Sequence, residues 1–216
     1  MSILCQHILS AVIAYLIGSV SFSKIFAKAI KKQDINKLGS GNAGTTNMLR
    51  TFGWKLGLLT LACDLLKGVL AVFISYLIGG ELAMLVACIF AVVGHNFSVF
   101  MKFKGGKGIA TTTGVMLSIL PIQTIIIFGS CVGIVFLTKI MSIGSIIGAI
   151  ATAVIPIIMY PDNTPLIITV IILCALDLFS HRSNIVRLFQ GKENKLHLSH
   201  KNNMNEDKNN DKSINI

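Results

Sequence analysis

Long apolar runs separated by short basic loops organise the first 190 residues of the chain. Residues 3–23, 56–78 and 82–100 carry few charges, and each is long enough to cross a ~30 Å hydrocarbon core as a helix. The next run, 110–138, would make a helix about 43 Å long at ~1.5 Å per residue, more than such a core needs. A break at Pro121 divides it into one short segment and one fuller span. Runs at 142–159 and 166–180 follow, joined by the turn Tyr160-Pro161-Asp162-Asn163-Thr164-Pro165. The pattern predicts an all-α polytopic membrane protein of about seven membrane segments, one or more not fully spanning. Five segments is the second count. No basic region precedes residues 3–22 and no A-x-A site follows, so they are expected to be the first span and not a cleaved signal. Residues 1–191 then form a single transmembrane domain. Residues 192–216, rich in Asn, Lys and Asp, have too little apolar surface to order themselves and are predicted to be a disordered cytoplasmic tail.

Charge sets the orientation. The chain is 53% hydrophobic and 13% charged, with a net charge of +10. Such a balance could suggest nucleic acid, but the basic residues sit in the loops between apolar runs and no RNA-binding motif accompanies them. Lys24, Lys28, Lys31, Lys32, Lys37 and Arg50 follow the first run, against Asp34 alone. By the positive-inside rule this loop is cytoplasmic and the N-terminus is outside. The Gly79-Gly80-Glu81 turn suits the outer face, and the Lys102–Lys107 loop is again cytoplasmic. Dividing 110–138 at Pro121 places Lys139 inside, Asp162 outside, and Arg182, Arg187, Lys192 and Lys195 inside with the C-terminus. All five cysteines lie in apolar segments, with no C-x-x-C, and are read as small apolar residues.

Three cytoplasmic segments could carry chemistry. The first, Gly39 to Arg50, contains G-x-G-x-x-G, with Asp64 twenty residues past Gly44. No hydrophobic strand feeds it and Asp64 lies in an apolar run, so a dinucleotide site fails on context. Nor is it a Walker A loop, because Thr45 follows Gly44. What remains is a turn full of donors, with Arg50 able to fork onto a phosphate, or simply a flexible polar loop. The second runs from Gly94 to Thr111. Gly105 and Gly106 could form a backbone nest with Lys107 as a point charge, aided by a helix start near Ile109. The plainer alternative is a stop-transfer loop whose lysines flank a span. In the third, His181 and Asn184 share a helix face, and Asp177 four residues earlier could orient His181. A structural histidine at a helix end is the alternative. Asp64 and Lys67, at i and i+3 in an apolar run, are expected to pair, or Lys67 to snorkel.

Together, in order, these segments resemble the acyl-phosphate:glycerol-3-phosphate acyltransferases of bacterial membranes. Gly39 to Arg50 is similar to the family's first motif, with Thr45 where alanine is usual. Gly94 to Thr111 resembles the second, with Ile109 for a common valine. The third, H-x-x-N-I-x-R-L-x-x-G-x-E-x-K, is met at His181, Asn184, Ile185, Arg187, Leu188, Gly191, Glu193 and Lys195. Gly18-Ser19-Val20-Ser21 is similar to the family's G-S-I-P segment, with Ser21 for proline. The likeness covers roughly residues 5–195.

The resemblance implies transfer of a fatty acyl group from acyl phosphate to the 1-hydroxyl of glycerol 3-phosphate, giving lysophosphatidic acid and phosphate. This is the first acylation of phospholipid synthesis. It implies no metal or cofactor and a site facing the cytoplasm at the bacterial inner membrane. Acyl-CoA and acyl carrier protein are not expected as donors. Membrane lipids are expected around the chain, and the enzyme that makes acyl phosphate is a candidate partner. By the same resemblance Ser40 and Arg50 hold phosphate and support the reacting centre, and His181 and Asn184 line the site and contact the glycerol. Asn42, Thr46, Asn47, Gly105, Gly106 and Lys107 bind substrate, while Lys104, Asp177 and Glu193 shape the site. The hydroxyl proton could go to His181 or to a substrate phosphate. Direct transfer is preferred to a covalent Ser40 intermediate, since no base lies beside Ser40 in the sequence. A transporter for a phosphorylated solute is the competing class, but such proteins tend to show internal repeats, and these three motifs are not copies of one another.

Overall fold

A computed structural model of the chain describes residues 1–196; of the predicted tail, 192–216, residues 197–216 lie outside the described residues. The described chain is helical: α1 (Ile3–Ser19), α2 (Phe22–Lys31), α3 (Thr45–Phe52), α4 (Trp54–Asn96), α5 (Ile109–Ile119), α6 (Pro121–Thr138), α7 (Met141–Met159), α8 (Thr164–Ser180) and α9 (Arg182–Phe189). Every apolar run read from the sequence is largely helical, with 3–23 running from α1 into α2 and 110–138 divided between α5 and α6. Among the described residues four helices are long and apolar enough to cross a membrane, or five if the bent pair α8–α9 is one span. One of the four, Trp54–Met101, is not straight. Gly79 and Gly80 leave helical torsions, Gly80 at φ 69, and divide α4 into two limbs. This is the sharp turn expected there, since a positive φ favours glycine.

Pro121 also acts as expected. It opens α6 at the first helical position, where its missing N–H breaks no intrahelical bond. The segment before it, α5, has 11 residues and is about 16 Å long, too short to cross a bilayer.

Close helix packing is made by small residues, as membrane interiors favour. A Cβ at Gly18 of α1 would overlap the Ala91 carbonyl of α4, and one at Gly94 would overlap the Tyr15 carbonyl. The core under this contact includes Ala14, Val72, Cys88, Val92, Val115, Val170 and Leu173. Outward positions are apolar and bare; Leu137, for example, is 86% exposed. The two ends of the bundle differ in charge. Glu81, Tyr160, Pro161 and Asp162 line one small hollow, while the basic loops gather at the other end around a much larger one.

Candidate active site

The larger hollow is a cavity of about 990 Å³. Its polar lining comes from all three segments singled out in the sequence: Ser40, Asn42, Thr46, Asn47 and Arg50; Lys107; and Asp177, His181, Asn184 and Glu193. Its apolar lining comes from α4, α5, α6 and α7, including Leu61, Met116, Phe128, Val135 and Ala149. One end can therefore hold an anion and the other a hydrocarbon chain.

Helix ends contribute to the polar part. Ser2, Ser21 and Asn163 cap α1, α2 and α8 through their side chains. By contrast, α3 and α5 begin at Gly44 and Gly108, and neither has a side-chain cap. Gly44, Thr45 and Thr46 line the cavity from α3, as do Gly108, Ile109 and Ala110 from α5. Two helix starts with uncommitted N–H groups thus meet in a space that also holds Arg50, Lys107 and Arg187.

The predicted glycine nest needs correction. The Gly105 N–H donates to the Asn96 carbonyl at 3.1 Å and the Gly106 N–H to the His95 carbonyl at 3.0 Å. Neither N–H is free to hold a phosphate. These glycines are needed for close approach instead: a Cβ at Gly105 would overlap the His95 carbonyl, and one at Gly106 would lie 2.8 Å from the Ala43 carbonyl. The loop is thereby pulled under Ala43, and Lys107 emerges into the cavity. Lys104 is exposed and does not line it.

Asn47 is corrected in a similar way. It is buried, and its side-chain amide donates to the Ile35, Leu38 and Asn42 carbonyls at 3.3, 3.0 and 3.0 Å. Its oxygen accepts from the Ser40 N–H at 3.0 Å. With its amide hydrogens taken by backbone carbonyls, Asn47 holds the Ser40 loop in shape and has no donor left for a phosphate. Ser40 and Arg50 remain exposed at the rim.

On the opposite wall, the Lys107 ammonium donates to Asn184 Oδ1. The Asn184 amide donates to Glu193 Oε1 at 2.8 Å, and Arg187 Nε donates to Glu193 Oε2 at 2.9 Å. Glu193 therefore locks Asn184 and Arg187 into one arrangement. Residues 192–196, expected to belong to the tail, instead pack beside the cavity without regular secondary structure, the Leu196 N–H donating to the Lys139 carbonyl at 2.7 Å. Burial first and the Arg187 charge second bring Lys107 down to about 8; Glu193 pulls it up, and Arg50 adds the smallest downward push. It is a cation with one amide partner, in a place that disfavours its charge.

His181 is 4% exposed. Its Nδ1 lies 2.9 Å from the Asp177 backbone carbonyl, not from the Asp177 carboxylate. The carboxylate orientation expected from the sequence is thus replaced by a carbonyl one; Asp177 Oδ1 instead accepts from Thr112 Oγ1 at 3.2 Å. A carbonyl only accepts, so Nδ1 carries the proton and Nε2 keeps a lone pair. Burial first, and the Lys107 charge second, hold His181 down at about 4. The ring is neutral near pH 7. Among the described residues no group of three His, Cys, Asp or Glu side chains is placed to hold a metal.

Residues 8–191 match the family described as glycerol-3-phosphate acyltransferase. The chain belongs to the glycerol-3-phosphate acyltransferase family. A glycerol-3-phosphate acyltransferase of Thermoanaerobacter sp. (strain X514) is 44% identical over 189 residues, covering 88% of this chain and 95% of that one. One from Clostridioides difficile (strain 630) is 43% identical, covering 88% and 96%. Crystal structures of PlsY (YgiH), an integral membrane glycerol 3-phosphate acyltransferase, are also similar. Its glycerol 3-phosphate form gives a TM-score of 0.83 at 32% identity, covering 88% of this chain and 96% of that one. Its lysophosphatidic acid form gives 0.81 at 31%, covering 89% and 96%.

This acyltransferase has polar groups at its site that sequence reasoning left unassigned. Arg187 stood inside the third motif, but its approach to the cavity depends on Glu193 folding back. Asp64 and His95 line the cavity from α4. The Asp64–Lys67 pair was legible at its i, i+3 spacing, and the ion pair is present at 2.8 Å. The addition of His95, 28 residues on, comes from the bend at Gly79-Gly80 and had no local signal.

Proposed function

We propose that this glycerol-3-phosphate acyltransferase uses acyl phosphate as donor and works at the cytoplasmic face of a bacterial inner membrane. One observation carries the reading: a single cavity has two uncapped helix starts with Arg50, Lys107 and Arg187 at one end and apolar walls at the other. Both substrates are phosphate esters or anhydrides, and the donor ends in a hydrocarbon tail. The acyl chain lies along α5, α6 and α7, and the phosphates lie against the cations and helix starts.

The 1-hydroxyl oxygen of glycerol 3-phosphate attacks the acyl carbon and forms the ester C–O bond. The bond from that carbon to the phosphate oxygen breaks, and its electron pair leaves with phosphate. His181 Nε2 accepts the hydroxyl hydrogen bond and orients the attack. With His181 held near 4 and the second ionisation of a phosphate at about 6, the phosphate oxygens are the better proton acceptor. Lys107 leaves Asn184 for a phosphate oxygen, where its charge is better stabilised. Ser40 serves as a rim hydrogen-bond donor; among the described residues no base is bonded to its hydroxyl.

The seven apolar segments with the N-terminus outside agree with the charge of the two bundle ends, acids at one and lysines at the other. Impermeant thiol labelling of single cysteines at 28 and 162, in a background without native cysteines, should mark 162 from outside and 28 only after permeabilisation. The reverse pattern inverts the topology. For the reaction, purified protein with palmitoyl phosphate and labelled glycerol 3-phosphate should give labelled lysophosphatidic acid and one phosphate per turnover, and palmitoyl-CoA should give none. Product from palmitoyl-CoA but not from palmitoyl phosphate would overturn the donor assignment.

A further inference from the structure

His95 lines the cavity but has no task in the scheme above. It is 6% exposed. Its Nδ1 lies 2.9 Å from Lys67 Nζ. An ammonium only donates, so Nδ1 must hold a lone pair and the ring proton must sit on Nε2. Lys67 is itself fixed: its Nζ lies 2.7 Å from the Val20 carbonyl and 2.8 Å from Asp64 Oδ1. Two ammonium hydrogens are engaged by the Val20 carbonyl and the imidazole, and the Asp64 carboxylate holds the charge in place, so Lys67 is kept against the imidazole. Among the described residues no group accepts from His95 Nε2. That nitrogen lies against the loop that delivers Lys107, since a Cβ at Gly106 would overlap it.

The result is a neutral, oriented and unused N–H donor at the wall of the cavity. The phosphate end is already served by Lys107, Arg50, Arg187 and two helix starts, and cations hold a dianion better than a neutral imidazole does. The acyl carbonyl has no such partner. In acyl phosphate it lies between phosphate and tail. His95 stands at the matching place, beside the Gly106-Lys107 loop and bonded to the limb of α4 that carries the apolar lining residues Leu58 and Leu61. Donors aimed at an oxygen that gains charge during acyl transfer lower the barrier without tightening substrate binding.

We propose that His95 is a further catalytic residue, donating its Nε2–H to the acyl carbonyl oxygen as the tetrahedral intermediate forms, and that Lys67 is the positioning residue that sets its tautomer. The proton stays on Nε2 throughout; only a hydrogen bond strengthens and relaxes. This rests on the acyl-phosphate reading given above.

The test compares wild type, His95→Leu and His95→Gln in steady-state assays with palmitoyl phosphate, with ring-labelled histidine ¹⁵N spectra of wild type and Lys67→Gln. His95→Leu should lower kcat on the order of 100-fold with both KM values within about threefold. His95→Gln, which can place an amide N–H near the same point, should recover about tenfold of that. The His95 signal, assigned by its loss in His95→Gln, should show the Nε2–H tautomer, and Lys67→Gln should shift it toward a mixture. An unchanged kcat in His95→Leu overturns the proposal. So does a raised KM for glycerol 3-phosphate with kcat intact, which would make His95 a phosphate ligand. Should His95→Leu fail to fold, the wild-type spectrum still decides, because an Nδ1–H signal contradicts the geometry. Wild type that makes no lysophosphatidic acid from palmitoyl phosphate sinks the donor reading instead, and the spectrum is independent of that outcome.

Discussion

Two lysines sit in polar surroundings near the same cavity, and they are treated in opposite ways. Lys67 meets a carboxylate at 2.8 Å, a carbonyl at 2.7 Å and an imidazole nitrogen at 2.9 Å. Among the described residues Lys107 has one side-chain partner, the Asn184 amide, while the nearby carboxylate of Glu193 is spent on Asn184 and Arg187. Lys67 has its counter-charge and two further partners, and it joins the end of α1 to both limbs of α4. Lys107 is left short of negative charge among other cations, which suits it to an anion that arrives and leaves. A buried charge with its counter-charge in contact reads as structure, and one left wanting reads as a binding site.

The largest effect expected from this contrast is on stability. Lys67→Met should cost ~3–5 kcal/mol by stranding Asp64 without a counter-charge. The double change Asp64→Leu with Lys67→Met should recover much of that loss. Thermal unfolding in detergent measures both. Lys107→Met should leave the unfolding midpoint nearly unchanged, and a large drop would erase the distinction between the two lysines.

Next in size, Lys107→Met should lower kcat/KM for glycerol 3-phosphate on the order of 100-fold, or about 2.7 kcal/mol, through loss of a charge-assisted bond. Steady-state kinetics at saturating acyl phosphate would show it. Glu193→Gln should cost less, about tenfold in kcat/KM, because it loosens Asn184 and Arg187 without removing a substrate contact. The smallest effect is a displaced pH limb. Lys107 must be charged to hold phosphate, so with a value of about 8 kcat/KM should fall as pH rises through that region. Lys107→Arg, which stays charged, should move the fall to higher pH. An alkaline limb that does not move excludes Lys107 as its source.

The sequence carried what depends on neighbours along the chain. Apolar runs marked the helices, Gly79-Gly80 and Pro121 marked two breaks, and the Asp64–Lys67 spacing announced an ion pair. The three polar segments also meet at one cavity. What was hidden depends on neighbours in space. Gly105 and Gly106 look like an anion nest until the carbonyls of His95 and Asn96 take their N–H groups. Asn47 looks like a ligand residue until backbone carbonyls take its amide hydrogens. Asp177 holds His181 by its carbonyl and not its carboxylate, and no residue spacing distinguishes these.

The position of the phosphorus atom in a glycerol 3-phosphate-bound structure of this chain tests the central claim most directly. The account predicts a phosphate oxygen within hydrogen-bond distance of Lys107 Nζ and of the first N–H groups of α5, with Lys107 released from Asn184 and Lys67 still on Asp64, Val20 and His95. A phosphate seated elsewhere, with Lys107 still bound to Asn184, would contradict it.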